Sequence, residues 1–313
     1  MTATQPRSTA PPRTDVPDHR GRIVLFSFLG GFALTVLWSA PFVDKVIGEN
    51  VTSAIIGHEA TGAPIAGILS GVLFAFASGL GGTFTACNIA ALGAVAPMLG
   101  ERRSIKGRIT QALVPLGWLV AAMAVVSALY GVVVAFFGTH MPQYSTVTVA
   151  SGQLAPRLIQ SLVVFGVLGL VMIYLGLAAL HLVPDPLAKV SARFPHARSL
   201  VMGVLIGLFL IGRPFGLYRQ LFRDVADSGN PLYGALSFLT QSLGNIVVLA
   251  VLFLLLAVAT GGRVQRWLTS KPGRVAVVAG SALLVAGVFT FLYWDVRLLA
   301  RTGVIWFPTI TWY

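Results

Sequence analysis

The chain has 313 residues, 56% of them hydrophobic and only 10% charged, with a net charge of +12 and a mean hydropathy of +0.83. A water-facing domain carries about 25% charged residues, so this composition excludes most soluble enzymes and any disordered protein. A single cysteine beside 34 glycines and 17 prolines excludes an internal disulfide framework and a zinc site built from several cysteines.

In chain order, residues 1–21 form a polar tail rich in Pro, Thr and Arg, which reads as disordered. Apolar stretches follow at 22–42, 64–99, 112–137, 158–183, 200–222, 232–260 and 275–296. A spanning helix needs about 20 apolar residues, and none of these stretches alternates with the period of a membrane barrel strand. The predicted fold class is therefore all-α: a polytopic membrane bundle of about seven transmembrane helices. The first stretch reads as a retained anchor, because Trp38 is a poor residue just before a cleavage site.

Lys and Arg stay on the cytoplasmic side of a membrane. The N-terminal flank holds Arg7, Arg13, Arg20 and Arg22, and the loop after the second stretch holds Arg102, Arg103, Lys106 and Arg108. Two later loops hold Lys189, Arg193 and Arg198, and Arg263, Arg266, Lys271 and Arg274. Most of the 22 basic residues thus lie on one side, which predicts a cytoplasmic N-terminus and an outer C-terminus. Trp38, Trp294, Trp306 and Trp312 then fall toward the outer interface. Topology and anionic lipid account for the positive charge, so the lipid bilayer is the expected partner and nucleic acid is not.

Two stretches break the simple pattern. As one helix, 64–99 would be far longer than the roughly 30 Å hydrocarbon core. Its middle contains Gly81, Gly82, Thr83, Thr85, Cys87 and Asn88. Gly permits a break, and small polar side chains can bond to freed backbone groups. The plainer alternative is a tilted helix followed by an interfacial turn, with Gly67 and Gly71 as a packing face. In 200–222 the apolar run ends at Gly212 and is followed by Arg213, Pro214 and Phe215. Arg213 would lie about 20 Å into the membrane, and Pro214 should kink or end the helix. An intramembrane Arg marks a functional site by default, the alternative being a side chain that snorkels to the outer interface.

Each of these stretches opens a block that continues through two plainer spans, one entering from outside and the other from inside. That is the pattern of an inverted repeat, whose site lies near the midplane between discontinuous helices. The expected organisation is a cytoplasmic tail (1–21), an extra span with its outer loop (22–63) and a first three-helix repeat (64–183). A cytoplasmic loop (184–199), a second three-helix repeat (200–296) and an outer tail (297–313) complete it.

On these residues the chain resembles the transmembrane region of the CcdA and DsbD proteins, which pass reducing equivalents across bacterial membranes. Gly67-Ile68-Leu69-Ser70-Gly71 leading to Thr85-Ala86-Cys87-Asn88 is similar to the first opening of that family. Gly203-Val204-Leu205-Ile206-Gly207 leading to Gly212-Arg213-Pro214-Phe215 is similar to the second. The resemblance covers about 64–296 and rests on layout. It implies inverted repeats with broken first helices, a bacterial inner-membrane location, and a thioredoxin-like or other extracytoplasmic redox partner. It implies no cofactor and no metal.

The family's paired Pro-Cys motifs are incomplete here. Ala86 precedes Cys87, and Phe215 follows Pro214 where the second cysteine would stand. With one cysteine no intramolecular disulfide relay can form.

Three readings remain. Cys87 exchanges with a partner's thiols through a mixed disulfide, its thiolate favoured by Arg213. Alternatively, the broken helices bind a small solute or ion for transport. In the third reading the protein is a non-catalytic assembly factor in maturation, as in the CcdA-like membrane proteins of methylamine dehydrogenase maturation. Cys87 can equally be a small buried hydrophobe. Gln241 and Asn245, with Thr240 and Ser242, either line a substrate path or join helices by hydrogen bonds. His58-Glu59 lacks the geometry of a metal site, and no Ser/His/Asp arrangement is visible.

Overall fold

The computed structural model describes residues 16–39, 41–62, 65–83, 105–214, 216–259, 263–271 and 273–310. Among them there is helix and no strand. The helices are α1 (Arg20–Leu37), α2 (Asn50–Ile56, preceded by the π-helical Phe42–Glu49), α3 (Gly67–Gly81), α4 (Ile105–Phe137) and α5 (Pro156–Ala179). They continue as α6 (Ala188–Arg193), α7 (Ala197–Gly212), α8 (Gly216–Ser228), α9 (Pro231–Ala259) and α10 (Arg263–Thr269). Then come α11 (Arg274–Phe291), the π-helical Leu292–Val296, and α12 (Arg297–Arg301).

Five segments are long and apolar enough to cross a membrane: α1, the body of α4, α5, most of α9, and α11 through α12. A sixth is possible if α7 and α8, bent by 83°, count as one broken span. α3 is apolar but has only 15 residues. Large apolar side chains point outward all along these helices, among them Phe26, Leu69, Leu129, Phe136, Val163 and Leu255. A soluble surface does not tolerate so extensive an apolar face, whereas lipid matches it. The chain is a multi-pass helical membrane protein in contact with the bilayer.

Lipid tails are as apolar as leucine, so helices in a bilayer associate through close packing of small residues. That rule organises this bundle. A Cβ on Gly131 of α4 would sit 2.1 Å from the carbonyl oxygen of Gly234 on α9, so the two backbones touch there. Gly169 meets Gly287 and Gly176 meets Gly280 where α5 packs on α11. Gly203 and Gly207 of α7 lie on Leu119 and Met123 of α4, while Gly71 and Gly79 of α3 lie on Tyr233 and Gln241 of α9.

The order of these contacts fixes the relative directions. Contact positions rise together in α3 with α9 and in α7 with α4, so each of those pairs is parallel. They run oppositely in α4 with α9, where Ser127 also bonds Ser242 at 2.7 Å, and in α5 with α11.

α1 stands at the edge, with far less of its length buried than α9 or α11. It is held by Gly31 against Val285 and Val288 and by Trp38 edge-on to Phe289 at 5.3 Å. Buried Arg297 donates to the carbonyls of Thr35 at 2.5 Å and Trp38 at 2.6 Å. A cation there satisfies the open end of α1 and complements its dipole. Trp294 stacks on Phe165 at 4.5 Å, so this tryptophan serves helix packing and not only a surface belt.

Where backbones touch, an added side chain has no room. Replacing Gly131 by Leu is expected to cost at least about 1–3 kcal/mol through overpacking. Gly117→Leu on the same helix, where nothing lies within 4 Å of an added Cβ, should stay within about 0.5 kcal/mol. Thermal unfolding of both variants in detergent checks the difference, and equal melting temperatures would refute the tight crossing.

Candidate functional site

α3 ends at Gly81 and α7 at Gly212, each within a stretch where the sequence predicts a break, and whatever follows Thr83 up to residue 104 lies outside the described residues. At the end of α3 the Gly82 amide donates to the carbonyls of Ser78 and Gly79, and the Thr83 amide donates to Leu80, tightening the last turn. α7 stops at Gly212 because Arg213 turns to an extended conformation, φ −72° and ψ 115°, as a residue before proline prefers. A helix that stops inside lipid leaves its final carbonyls without partners.

Here the last three carbonyls of α7, those of Leu210, Ile211 and Gly212, each receive a side-chain donor. The Tyr218 hydroxyl donates to Leu210 at 2.6 Å, and the Gln160 amide to Ile211 at 2.6 Å. The Ser161 hydroxyl donates to Gly212 at 2.6 Å, and the Gln143 amide reaches Leu210 at 3.3 Å and Arg213 at 3.4 Å. Gln143 is itself fixed by the Tyr130 hydroxyl at 2.5 Å. A buried carbonyl left without a donor costs about 1–3 kcal/mol, so these four side chains make the break tenable. None of the four stands out in the sequence. The available signal was Gln160-Ser161 within an apolar stretch.

The two breaks meet. The Arg213 guanidinium donates to the Gly82 carbonyl at 3.2 Å, placing a cation at the C-terminal end of α3, where the helix dipole favours it. The side chain therefore turns toward α3. Gly82 leaves room for this approach: a Cβ would lie 2.0 Å from the guanidinium, which would have to swing aside.

On the other side, Gly81 abuts the backbone of Gly48, whose carbonyl accepts from Thr52 at 2.7 Å. The Thr52 hydroxyl also reaches Ala77 on α3 at 3.3 Å. The same connecting segment brings half-buried Asp44 within electrostatic range of Arg213 and Arg301. Burial pushes the Asp44 carboxyl up to about 6, against the opposing pull of the two arginines.

α9 supplies the remaining polar groups. Gln241 is wholly buried, and neither its amide nitrogen nor its oxygen has a hydrogen-bond partner among the described residues. Gly79 presses on the Gln241 backbone and reaches that of Asn245, which puts both residues beside the last turn of α3.

The structure thus gathers Gly81, Gly82, Thr83, Arg213, Pro214, Gln241 and Asn245 around the ends of α3 and α7. Thr85, Cys87, Asn88 and Phe215 lie outside the described residues. Two carboxylates were missed by sequence reasoning: Asp44, and Asp295. The latter lies in the π-helical turn against Gly166 and has one carboxyl oxygen buried without a partner. Among the described residues no group of three or more His, Cys, Asp or Glu side chains is placed to hold a metal ion. A separate, mostly apolar cleft of about 50 Å³ lies between α5, α7 and α11, rimmed by Asp185 and Arg198. No family model, curated protein or solved structure matches the chain with significance.

Folding takes up a proton at Asp44, because its carboxyl is raised from 3.8 in a free side chain to about 6 here. Stability is therefore greatest below the lower value and falls as pH rises through the upper one. Asp44→Asn is expected to raise the melting temperature at pH 8 and leave it unchanged at pH 4. A pH series of thermal melts checks this, and a stabilisation independent of pH would contradict the assignment.

Proposed function

We propose that the chain works as a CcdA/DsbD-type protein of a bacterial inner membrane, handling thiol redox or the maturation of extracytoplasmic proteins with a soluble thiol partner. The observation that carries this reading is the bond from Arg213 to Gly82 between the two helix breaks. The positions that would carry the family's two motif cysteines follow those contacting residues by five and by two, at Cys87 and Phe215. A fold of that type requires its two motif positions to come together, and this contact is the expected consequence.

The pairing of helices supports the same reading. Taking α3–α4–α5 and α7–α9–α11 as two blocks, the first helix of each packs parallel to the second helix of the other. The second helices cross one another antiparallel, as do the third. An inverted repeat demands those directions, and they accord with a cytoplasmic N-terminus and seven crossings.

With one cysteine the chemistry is exchange with a partner and not an internal relay. The Cys87 thiolate attacks a disulfide of the soluble partner, forming a mixed disulfide and releasing one partner thiolate. A second partner thiolate then resolves it, returning Cys87 as thiolate with no net change in electrons. Arg213 at the neighbouring helix end would favour the thiolate over the thiol.

A second reading, transport of a small polar solute or ion, is favoured by one specific observation: buried Gln241 without a partner beside the two helix ends. A wholly buried amide in a membrane normally bonds something.

The two readings separate at Cys87. Acid-quenched, alkylated membranes are expected to contain a mixed disulfide at Cys87 that is absent from Cys87→Ser. Complete alkylation of Cys87 without any adduct overturns the thiol reading. The transport reading predicts that Thr83→Cys, made in Cys87→Ser, reacts with a water-soluble maleimide. Thr83 is the better probe because a side chain at Gly82 would displace the Arg213 guanidinium.

A further inference from the structure

A second cluster lies beside the end of α7, on the far side from α3, where α5 begins. α8 is strongly amphipathic. Leu217, Tyr218, Leu221, Phe222, Val225 and Ala226 are buried, the two-residue stripe repeating every four that a helix lying on a core requires. Its other face carries Arg219 and Arg223, one turn apart, and they converge with Arg157 from the first turn of α5 on one short loop.

The Arg157 guanidinium donates to the carbonyls of Ser145 at 3.4 Å and Val147 at 2.7 Å. Arg219 donates to the same Ser145 carbonyl at 3.1 Å, and Arg223 to Tyr144 at 3.3 Å. Arg157 and Arg223 both lie within electrostatic range of Arg219.

None of the three has an ion-pair partner among the described residues, where the one salt bridge joins Arg198 to Asp185. The carboxylates of α8 are bonded by tyrosines, Asp224 by the Tyr233 hydroxyl and Asp227, at the edge of the cluster, by the Tyr144 hydroxyl at 2.6 Å. The Nε of Arg219 is buried and has no hydrogen-bond partner. Three like charges thus share a few carbonyl dipoles, which orient them but do not neutralise them. Guanidinium groups present paired N–H donors that match the oxygens of a phosphate group, and an amphipathic helix places them at headgroup depth.

We propose that Arg157, Arg219 and Arg223 form a binding site for a phosphate group, supplied by an anionic lipid headgroup or by a free phosphate anion. The site is distinct from the junction of α3 and α7 and does not rest on the redox or transport reading.

The test uses full-length protein purified in a neutral detergent, with dioleoylphosphatidylglycerol and inorganic phosphate as probes and native mass spectrometry as the readout. Wild type is expected to retain the lipid at least tenfold better than Arg219→Gln/Arg223→Gln. The Arg219→Lys/Arg223→Lys pair, keeping charge without the paired donors, should fall between them. Displacement of bound lipid by inorganic phosphate supports the site with a free anion as ligand, and retention of lipid against phosphate supports it with a headgroup as ligand.

Equal binding by wild type and the Gln pair overturns the proposal, as does failure of wild type to bind either probe. If the Gln pair does not fold, Arg223→Gln alone, which removes a single loop contact, is read in the same assay. A loss of thermal stability in that variant with unchanged probe binding means that the arginines only hold the loop, and equally overturns the site.

Discussion

Every backbone polar group that enters lipid must find a partner inside the protein, and the architecture around α7 depends on that constraint. Ending a helix at Gly212 opens carbonyls that no further helical turn satisfies. Tyr218, Gln160, Ser161 and Gln143 close them from three different elements. Because those donors come from α8, from α5 and from the loop after α4, the break fixes the positions of all three. The amphipathic α8 can then fold back over the bundle end, burying Tyr218 and Phe222 around Phe238. Without the donors the break would be a defect; with them it is a rigid junction.

A second consequence concerns Arg213. A guanidinium in a membrane is costly unless its donors are met. The open carbonyls at the end of α3 offer a ready acceptor, and Gly82 leaves the space to reach it. One broken helix therefore stabilises the end of the other. The same logic recurs at the bundle edge, where buried Arg297 closes the end of α1. In both places an arginine supplies donors that water would supply to a soluble helix.

The glycines carry the remaining specificity. In water, apolar stripes choose their partners through burial; in lipid, contact distance decides. Gly131 against Gly234, and Gly169 against Gly287, let carbonyl and Cα surfaces touch, and the spacing of such residues along each helix selects which helix lies alongside and in which direction. The chain's unusual glycine content is thus a packing code as much as a source of helix breaks.

Much of this was legible in the sequence, and the division has a physical cause. Low charge and long apolar runs determine a helical membrane protein, because only hydrogen-bonded helices and closed barrels satisfy the backbone in lipid. Pro214 and the glycines at 81 and 82 likewise determine where the helices break, since those preferences act within a few residues.

The convergence of Gly82 with Arg213 depends on contacts 131 residues apart, and the loop held by Arg157, Arg219 and Arg223 joins α5 to α8. Asp44 and Asp295 were overlooked because neither residue type nor spacing marks a carboxylate near a span end as half-buried. Tertiary structure alone decided those features, because burial and pairing belong to neighbours that local sequence does not name.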